Sequence, residues 1–236
     1  MADVKARIRQ QVWDHLEAAR IARFPFPPHG RIPNFAGARE ACLRLFEWPV
    51  LAGAKIIKVN PDAPQRPLRF EALRRGITVL VPTPRLRAGF MCLDPARIAA
   101  KDYAPAASLS KMRRFAEDVA LDALPTPDCL VVGSVAVSES GARCGKGEGY
   151  ADLEYGILRS LGHPPIAVAS VVHEDQIVEE IPREATDLPL SVIATPTRLI
   201  EVKDPPQGPP GIDWSLLTEE DLAAMPVLAE LRRRDR

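Results

Sequence analysis

The sequence predicts a three-layer α/β fold with a mostly parallel central sheet. Three observations carry that expectation. Short β-branched runs recur along the chain, segments of helical period fall between them, and Gly, Pro, Asn and Asp mark the joins. The length of 236 residues suits one large domain with a short appendage.

The elements follow in order. Over residues 4–21, Val4, Ile8, Val12, Leu16 and Ala19 recur at steps of three and four, which makes one apolar helix face. The run Phe24-Pro-Phe-Pro-Pro-His-Gly30 stops that helix, because proline cannot continue it. A second helix is expected over 36–46, with Asn34 as candidate cap. Strands are expected at 55–59 and 77–81, separated by a helix over 66–74 that ends at Gly76. A helix over 111–123 and strands over 129–132 and 135–138 come next. A glycine loop then leads into a helix over 151–161. Residues 166–172 form a continuous β-branched run, as in a strand buried on both faces, and 191–194 form another. Residues 1–202 are the expected α/β domain. Residues 203–236 are the expected proline-rich linker and C-terminal helical tail, with Thr218 as cap and Asp221 in capping-box register. The basic end, 232–236, is expected to fray.

Lys plus Arg and Asp plus Glu number 31 each, so no whole-molecule attraction to nucleic acid or anionic lipid is expected. The four cysteines, Cys42, Cys92, Cys129 and Cys144, include no C-x-x-C pair and read as reduced thiols. Residues 1–23 carry no apolar signal core, and the apolar run near 129–137 is too short to span a bilayer. The expectation is a soluble cytoplasmic protein with a small-molecule partner, no nucleic acid and no membrane.

The segment Gly141-Ala-Arg143-Cys-Gly145-Lys146-Gly147-Glu-Gly149-Tyr150-Ala-Asp152 places four glycines within nine residues, between a strand and a helix. Glycine allows positive φ and lets a ligand reach backbone N–H groups with no Cβ in the way. The helix start adds its positive end, and Arg143 and Lys146 add two cations. Such a loop suits a phosphate chain. It is no Walker A loop, because glycine follows Lys146 and the spacing from Gly141 is short, and no G-x-G-x-x-G, because Gly145, Gly147 and Gly149 alternate. His173, His29, Arg69 and Arg85 fit ordinary structural or solvated roles equally well.

Arg-x-Gly-x-Gly-x-Gly-Tyr-x-Asp over 143–152 resembles the signature of the 5-formyltetrahydrofolate cyclo-ligase family. Lys5-Ala-Arg-Ile8-Arg9 resembles that family's N-terminal K-x-x-L-R, and Ile181-Pro-Arg-Glu-Ala-Thr-Asp187 its late P-x-x-x-x-D segment. The resemblance implies a Rossmann-like three-layer sandwich of the kind shared with sugar-phosphate isomerases and CoA transferases. It also implies ATP-dependent closure of 5-formyltetrahydrofolate to 5,10-methenyltetrahydrofolate through a phosphorylated formyl group. In that reading Lys5, Arg9, Gly145, Lys146, Gly147, Gly149 and Tyr150 bind ATP, and Arg143, Lys146 and Tyr150 act in catalysis. Asp152 carries Mg²⁺, and the partner is a folate or folate-like molecule.

Ala151 replaces the second tyrosine of the family motif, and Thr186 stands where its histidine does. Segments 31–35, 60–62, 133–137 and 145–154 resemble the methenyltetrahydrofolate-synthetase-domain-containing branch. Two alternatives therefore stand beside the cyclo-ligase: a diverged paralogue using the ATP site on another heterocycle, such as a thiamine-related one, or a non-catalytic nucleotide-binding module.

Overall fold

A computed structural model describes residues 2–234. Its centre is an eight-stranded sheet. The strands, in chain order, are β1 (Ile56–Val59), β2 (Thr78–Pro82), β3 (Phe90–Leu93), β4 (Glu117–Val119), β5 (Cys129–Val132), β6 (Ala167–Val171), β7 (Val192–Ala194) and β8 (Leu199–Glu201). They lie in the order β8-β7-β6-β5-β1-β2-β3-β4. The five central strands, β7 to β2, run parallel, and the outer β8, β3 and β4 each pair antiparallel with their inner neighbour.

Six helices matter for the site. They are α1 (Ala2–Ala18), α2 (Ala38–Arg44), α3 (Arg66–Arg74), α4 (Tyr150–Ser160), α5 (Glu219–Ala224) and α6 (Pro226–Arg234). Alternation along each strand divides the core in two, because successive side chains point to opposite faces. Ile57, Val59, Val79, Val81, Val131 and Val171 meet α2 and α3 on one face. Leu80, Leu130, Val132, Val168 and Ile193 meet α4 and the C-terminal helices on the other. Helix α1 puts Val12, Trp13 and Leu16 over a small hairpin, Ala136–Val137 with Arg143–Cys144. The expected three-layer α/β architecture with a mostly parallel sheet is what the chain adopts.

Several elements differ from expectation. The segment 111–123 is no helix: a short turn, Leu109–Met112, ends early and Glu117–Val119 joins the sheet edge. Its apolar spacing allowed either form. The unpaired edge of β3 selected the strand, with Phe90 opposite Val119 and Cys92 opposite Glu117. Asn34 caps nothing; it lies in a two-residue strand, and its side chain donates to the Phe24 carbonyl. Helix α2 starts instead from Gly37, whose φ is 83° and where a Cβ would stand 2.6 Å from Pro196. Helix α1 ends at Ala18, short of Ile21, and the 135–138 strand forms the hairpin rather than a sheet strand. Residues 232–234 are helical within α6, and 235–236 lie outside the described residues.

Strand order reverses between β1 and β5. From β1 the chain builds to β2 on one side, while β5, β6 and β7 build outward on the other. Loops leaving the carboxyl ends of two such strands diverge and open a crevice, the usual ligand position in parallel α/β sheets. Here those loops begin at Asn60 and Gly133, and the Asn60 amide donates to the Val131 carbonyl at 3.1 Å to hold the crevice floor.

Candidate functional site

The glycine loop grows out of the hairpin. Gly141 makes the turn with φ of 87°, and a Cβ there would lie 2.7 Å from the Leu190 carbonyl. Beyond Cys144 the backbone follows no ladder. Gly147 and Gly149 take φ of 106° and 71°, and Gly149 is the residue from which α4 starts. Among the described residues, the backbone amides from Gly145 to Ala151 donate to no protein group. Gly147, Glu148 and Gly149 are exposed, so these amides stand open to solvent or to a ligand. A run of free donors at the start of an 11-residue helix has the chemistry to accept an anion.

Arg143 is buried and braces this loop. Its Nη2 donates to the Gly133 carbonyl at 3.0 Å and its Nη1 to Asp152 Oδ1 at 3.2 Å. Its Nε is buried without a partner. A Cβ on Gly145 would stand 2.7 Å from Arg143 Nη2, so only glycine lets the guanidinium lie under the loop. Asp152 Oδ1 also accepts from the Leu188 amide at 3.0 Å, tying the helix start to the segment before β7.

Helix α1 delivers two further cations. Lys5 Nζ pairs with Asp187 Oδ2 at 2.5 Å, and that oxygen also accepts from the Glu184 amide at 2.7 Å. The Arg9 guanidinium sits 3.5 Å from the position of a Gly147 Cβ, directly against the loop. Lys146 pairs with Glu148 at 2.7 Å and remains about one-third exposed. Tyr150 is half-buried and reaches the same cleft. Lys5, Arg9, Arg143, Gly145, Lys146, Gly147, Gly149, Tyr150 and Asp152 thus all line one cleft of about 470 Å³.

Sequence reasoning missed the floor. Lys58, in the middle of β1, is fully buried and forms an ion pair with Glu154 of α4, itself 2% exposed. Asn60 completes the group: its Oδ1 accepts from Lys58 at 2.9 Å and its Nδ2 donates to Glu154 at 3.3 Å. Burial pushes the Glu154 carboxyl up, with the Lys58 ammonium opposing. Burial also raises Asp62 in the cleft, against the pull of Lys146, Arg69 and Lys58. The available signal was Lys58 itself, a lysine inside a β-branched run between strands covered on both faces.

The second omission is the C-terminal segment. Pro209, Gly211, Ile212, Leu216, Leu217 and Met225 line the cleft. The Ile212 amide donates to Ser160 Oγ at 3.0 Å, and Gly156 of α4 leaves the space that the Ile212 side chain fills. The predicted Thr218–Asp221 capping box is present and starts α5.

A divalent cation has one carboxylate to work with at the helix start. Asp152 spends Oδ1 on Arg143 and Leu188, while Oδ2 makes no hydrogen bond among the described residues. No group of three His, Cys, Asp or Glu side chains converges among the described residues. That donor set fits Mg²⁺ shared with phosphate oxygens and water, and no cation held by protein ligands alone.

Residues 2–196 match the family model described as the 5-formyltetrahydrofolate cyclo-ligase family. The chain is 46% identical to the methenyltetrahydrofolate synthase domain-containing protein of Mus musculus and 41% identical to that of Homo sapiens. Each alignment takes in 98% of this chain but only 64% and 62% of the relative. The chain therefore spans less than two-thirds of the length of these curated relatives. It is 26% identical to the 5-formyltetrahydrofolate cyclo-ligase of Escherichia coli, over 69% of this chain and 90% of that one. The solution structure of Aquifex aeolicus 5,10-methenyltetrahydrofolate synthetase superimposes with a TM-score of 0.54 at 19% identity, covering 85% of this chain and 94% of the other. At that identity the superposition speaks for the fold alone. No helix among the described residues is long and apolar enough to cross a membrane. Motif, matched span and curated relatives agree that the chain belongs to the 5-formyltetrahydrofolate cyclo-ligase family.

Proposed function

We propose that the chain is an ATP-dependent, Mg²⁺-using cyclo-ligase that closes 5-formyltetrahydrofolate to 5,10-methenyltetrahydrofolate. The observation carrying this is the row of free amides from Gly145 to Ala151, ringed by Lys5, Arg9, Arg143 and Lys146 at the sheet's switch point. Such an arrangement suits a triphosphate, whose transfer needs positioning and charge neutralisation more than covalent catalysis.

Each residue then has a task. The loop amides and the α4 start hold phosphate oxygens. Lys146 and Arg9 neutralise charge from the open side, and Arg143 does so from beneath the loop. Lys5 serves as well, after exchanging Asp187 for phosphate or sharing itself between them. Asp152 Oδ2 would hold Mg²⁺, which would supply positive charge against the phosphate chain. Tyr150 places its ring and hydroxyl at the junction between the nucleotide and the organic substrate.

A second reading has its own support. Ala151 and Thr186 both line the cleft where the family motif carries tyrosine and histidine. These smaller residues widen the cleft and leave the loop's glycines and cations in place, which favours ATP chemistry on another heterocycle. One experiment separates the readings: ADP release with Mg²⁺ and ATP, with and without 5-formyltetrahydrofolate, while methenyl absorbance is followed. ADP and methenyl product rising together supports the cyclo-ligase. ATP binding with no methenyl product favours the second reading, and absence of nucleotide binding rejects both.

A further inference from the structure

The cleft has two halves with different chemistry. On the β5–β7 side, α1, the glycine loop and the segment before β7 are knitted together by Lys5–Asp187, Leu188–Asp152 and Leu190–Gly141 hydrogen bonds. Four cations converge there. On the β2–β3 side the wall is the C-terminal segment. Helices α5 and α6 pack Leu222, Met225, Val227, Leu228 and Leu231 with Leu86, Phe90 and Leu121, and Val227 reaches 3.2 Å from a Gly89 Cβ position. This anchors 209–225 so that Ile212, Leu216, Leu217 and Met225 face the cleft.

The 209–225 wall contributes no cation to the cleft. Of its four carboxylates, Asp213 and Asp221 line the cleft; Asp213 accepts from the Ser215 amide and hydroxyl, and Asp221 from Thr218. Beside these two carboxylates the wall offers apolar surface, standing above a floor with one oriented amide. Lys58 can only donate, so the Asn60 oxygen faces Lys58, which turns its NH₂ toward Glu154. A flat ring needs such surroundings: apolar contact for its faces and a fixed donor–acceptor pair for its edge. A phosphate chain needs the opposite.

We propose that Pro209–Met225, a segment beyond the 2–196 family match, is the wall that binds the ring system of the organic substrate, with Asn60 reading its edge. The ring is uncharged where it meets this wall. The proposal rests on the nucleotide occupying the glycine-loop half, as proposed above. Specificity in this chain is then set by residues that follow the family-matched region, along a wall docked on α4 through Gly156 and Ser160.

Hydrogen exchange of the whole chain tests it, with MgATP and 5-formyltetrahydrofolate added separately and occupancy followed by calorimetry. The expected result is slowed exchange across 209–225 with 5-formyltetrahydrofolate, and across 145–152 with MgATP. Two variants sharpen the test. Leu217→Ser removes apolar wall, and Gly156→Ala sets a Cβ 2.7 Å from Ile212 Cδ1, displacing that side chain. Each should raise the KM for 5-formyltetrahydrofolate about tenfold, the equivalent of one lost Leu-sized contact, while the KM for ATP changes less than about twofold. Bound 5-formyltetrahydrofolate with unchanged exchange at 209–225 overturns this inference alone. Slowed exchange there with MgATP only overturns it too, assigning the wall to the nucleoside. Absence of 5-formyltetrahydrofolate binding removes the folate reading and this inference together, while MgATP protection at 145–152 still upholds the nucleotide site.

Discussion

Lys58 and Glu154 form an ion pair beneath the cleft, in which the lysine is fully buried and the glutamate nearly so. The pair joins the central strand β1 to helix α4, whose start carries the glycine loop, so crevice floor and loop are tied at one point. Removing a charged pair from water costs more than its attraction returns unless hydrogen bonds complete the geometry, and Asn60 completes it here.

Breaking one partner strands the other charge in the core. Glu154→Gln or Lys58→Met should each lower unfolding stability by about 3–5 kcal/mol. The double variant Lys58→Met/Glu154→Leu should recover most of that loss, because neither charge is then buried. Urea unfolding checks this, and a double variant no more stable than the singles contradicts it.

Lys146 shares its charge with Glu148 at 2.7 Å, and both are partly exposed. Lys146→Ala should weaken MgATP binding about tenfold or more, the effect of one charge-assisted hydrogen bond to phosphate. Glu148→Gln should tighten it a few-fold by releasing the lysine and removing a nearby negative charge. Calorimetric titration of both variants tests the pair, and equal affinities would remove Lys146 from the phosphate site.

Gly147 has φ of 106°, which an L side chain adopts only under strain, and its missing Cβ faces Arg9 at 3.5 Å. Gly147→Ala should cost about 1–3 kcal/mol of loop strain and weaken nucleotide binding with it. Gly162 also has a positive φ, with open space around it, and lies past the end of α4 away from the loop. Gly162→Ala should therefore lose stability without losing nucleotide affinity.

Glu174 supplies a pH signature. Burial alone would raise its carboxyl, but the hydroxyls of Thr197 and Thr195 and nearby amides outweigh burial and bring it from 4.5 down to about 2. A depressed carboxylate stabilises the fold above its unfolded value, and that stability is lost as pH falls through the folded one. The urea midpoint should drop between pH 4.5 and about 2 less steeply in Glu174→Gln than in the parent. Identical acid limbs would show the hydrogen bonds to be ineffective.

Much of the architecture was legible in the sequence. The β-branched runs at β1, β5 and β6 fall where strands form, and α3 spans the expected residues 66–74. The glycine loop was legible because alternating glycines beside two cations have few purely structural uses. Long-range contacts were not legible. Glu117–Val119 became a strand only because β3 offered an open edge, and β3 and β8 were short enough to pass for connections. Glu154 is an ordinary helix carboxylate until the fold brings it to Lys58, 96 positions earlier. The C-terminal wall was hidden for the same reason: prolines at 205–210 mark an extended segment but do not say that it returns to the cleft.

Phosphate binding by the glycine loop is the property on which the proposed activity depends most directly. Calorimetric titration of the whole chain with adenosine, AMP, ADP and ATP, each with Mg²⁺, isolates the contribution of the phosphate chain. Affinity rising stepwise from adenosine to ATP, with the gain largely removed by Lys146→Ala, is the predicted result. Affinity indifferent to the number of phosphates, or no binding of ATP by the folded protein, would contradict the assignment of this loop as a nucleotide phosphate site.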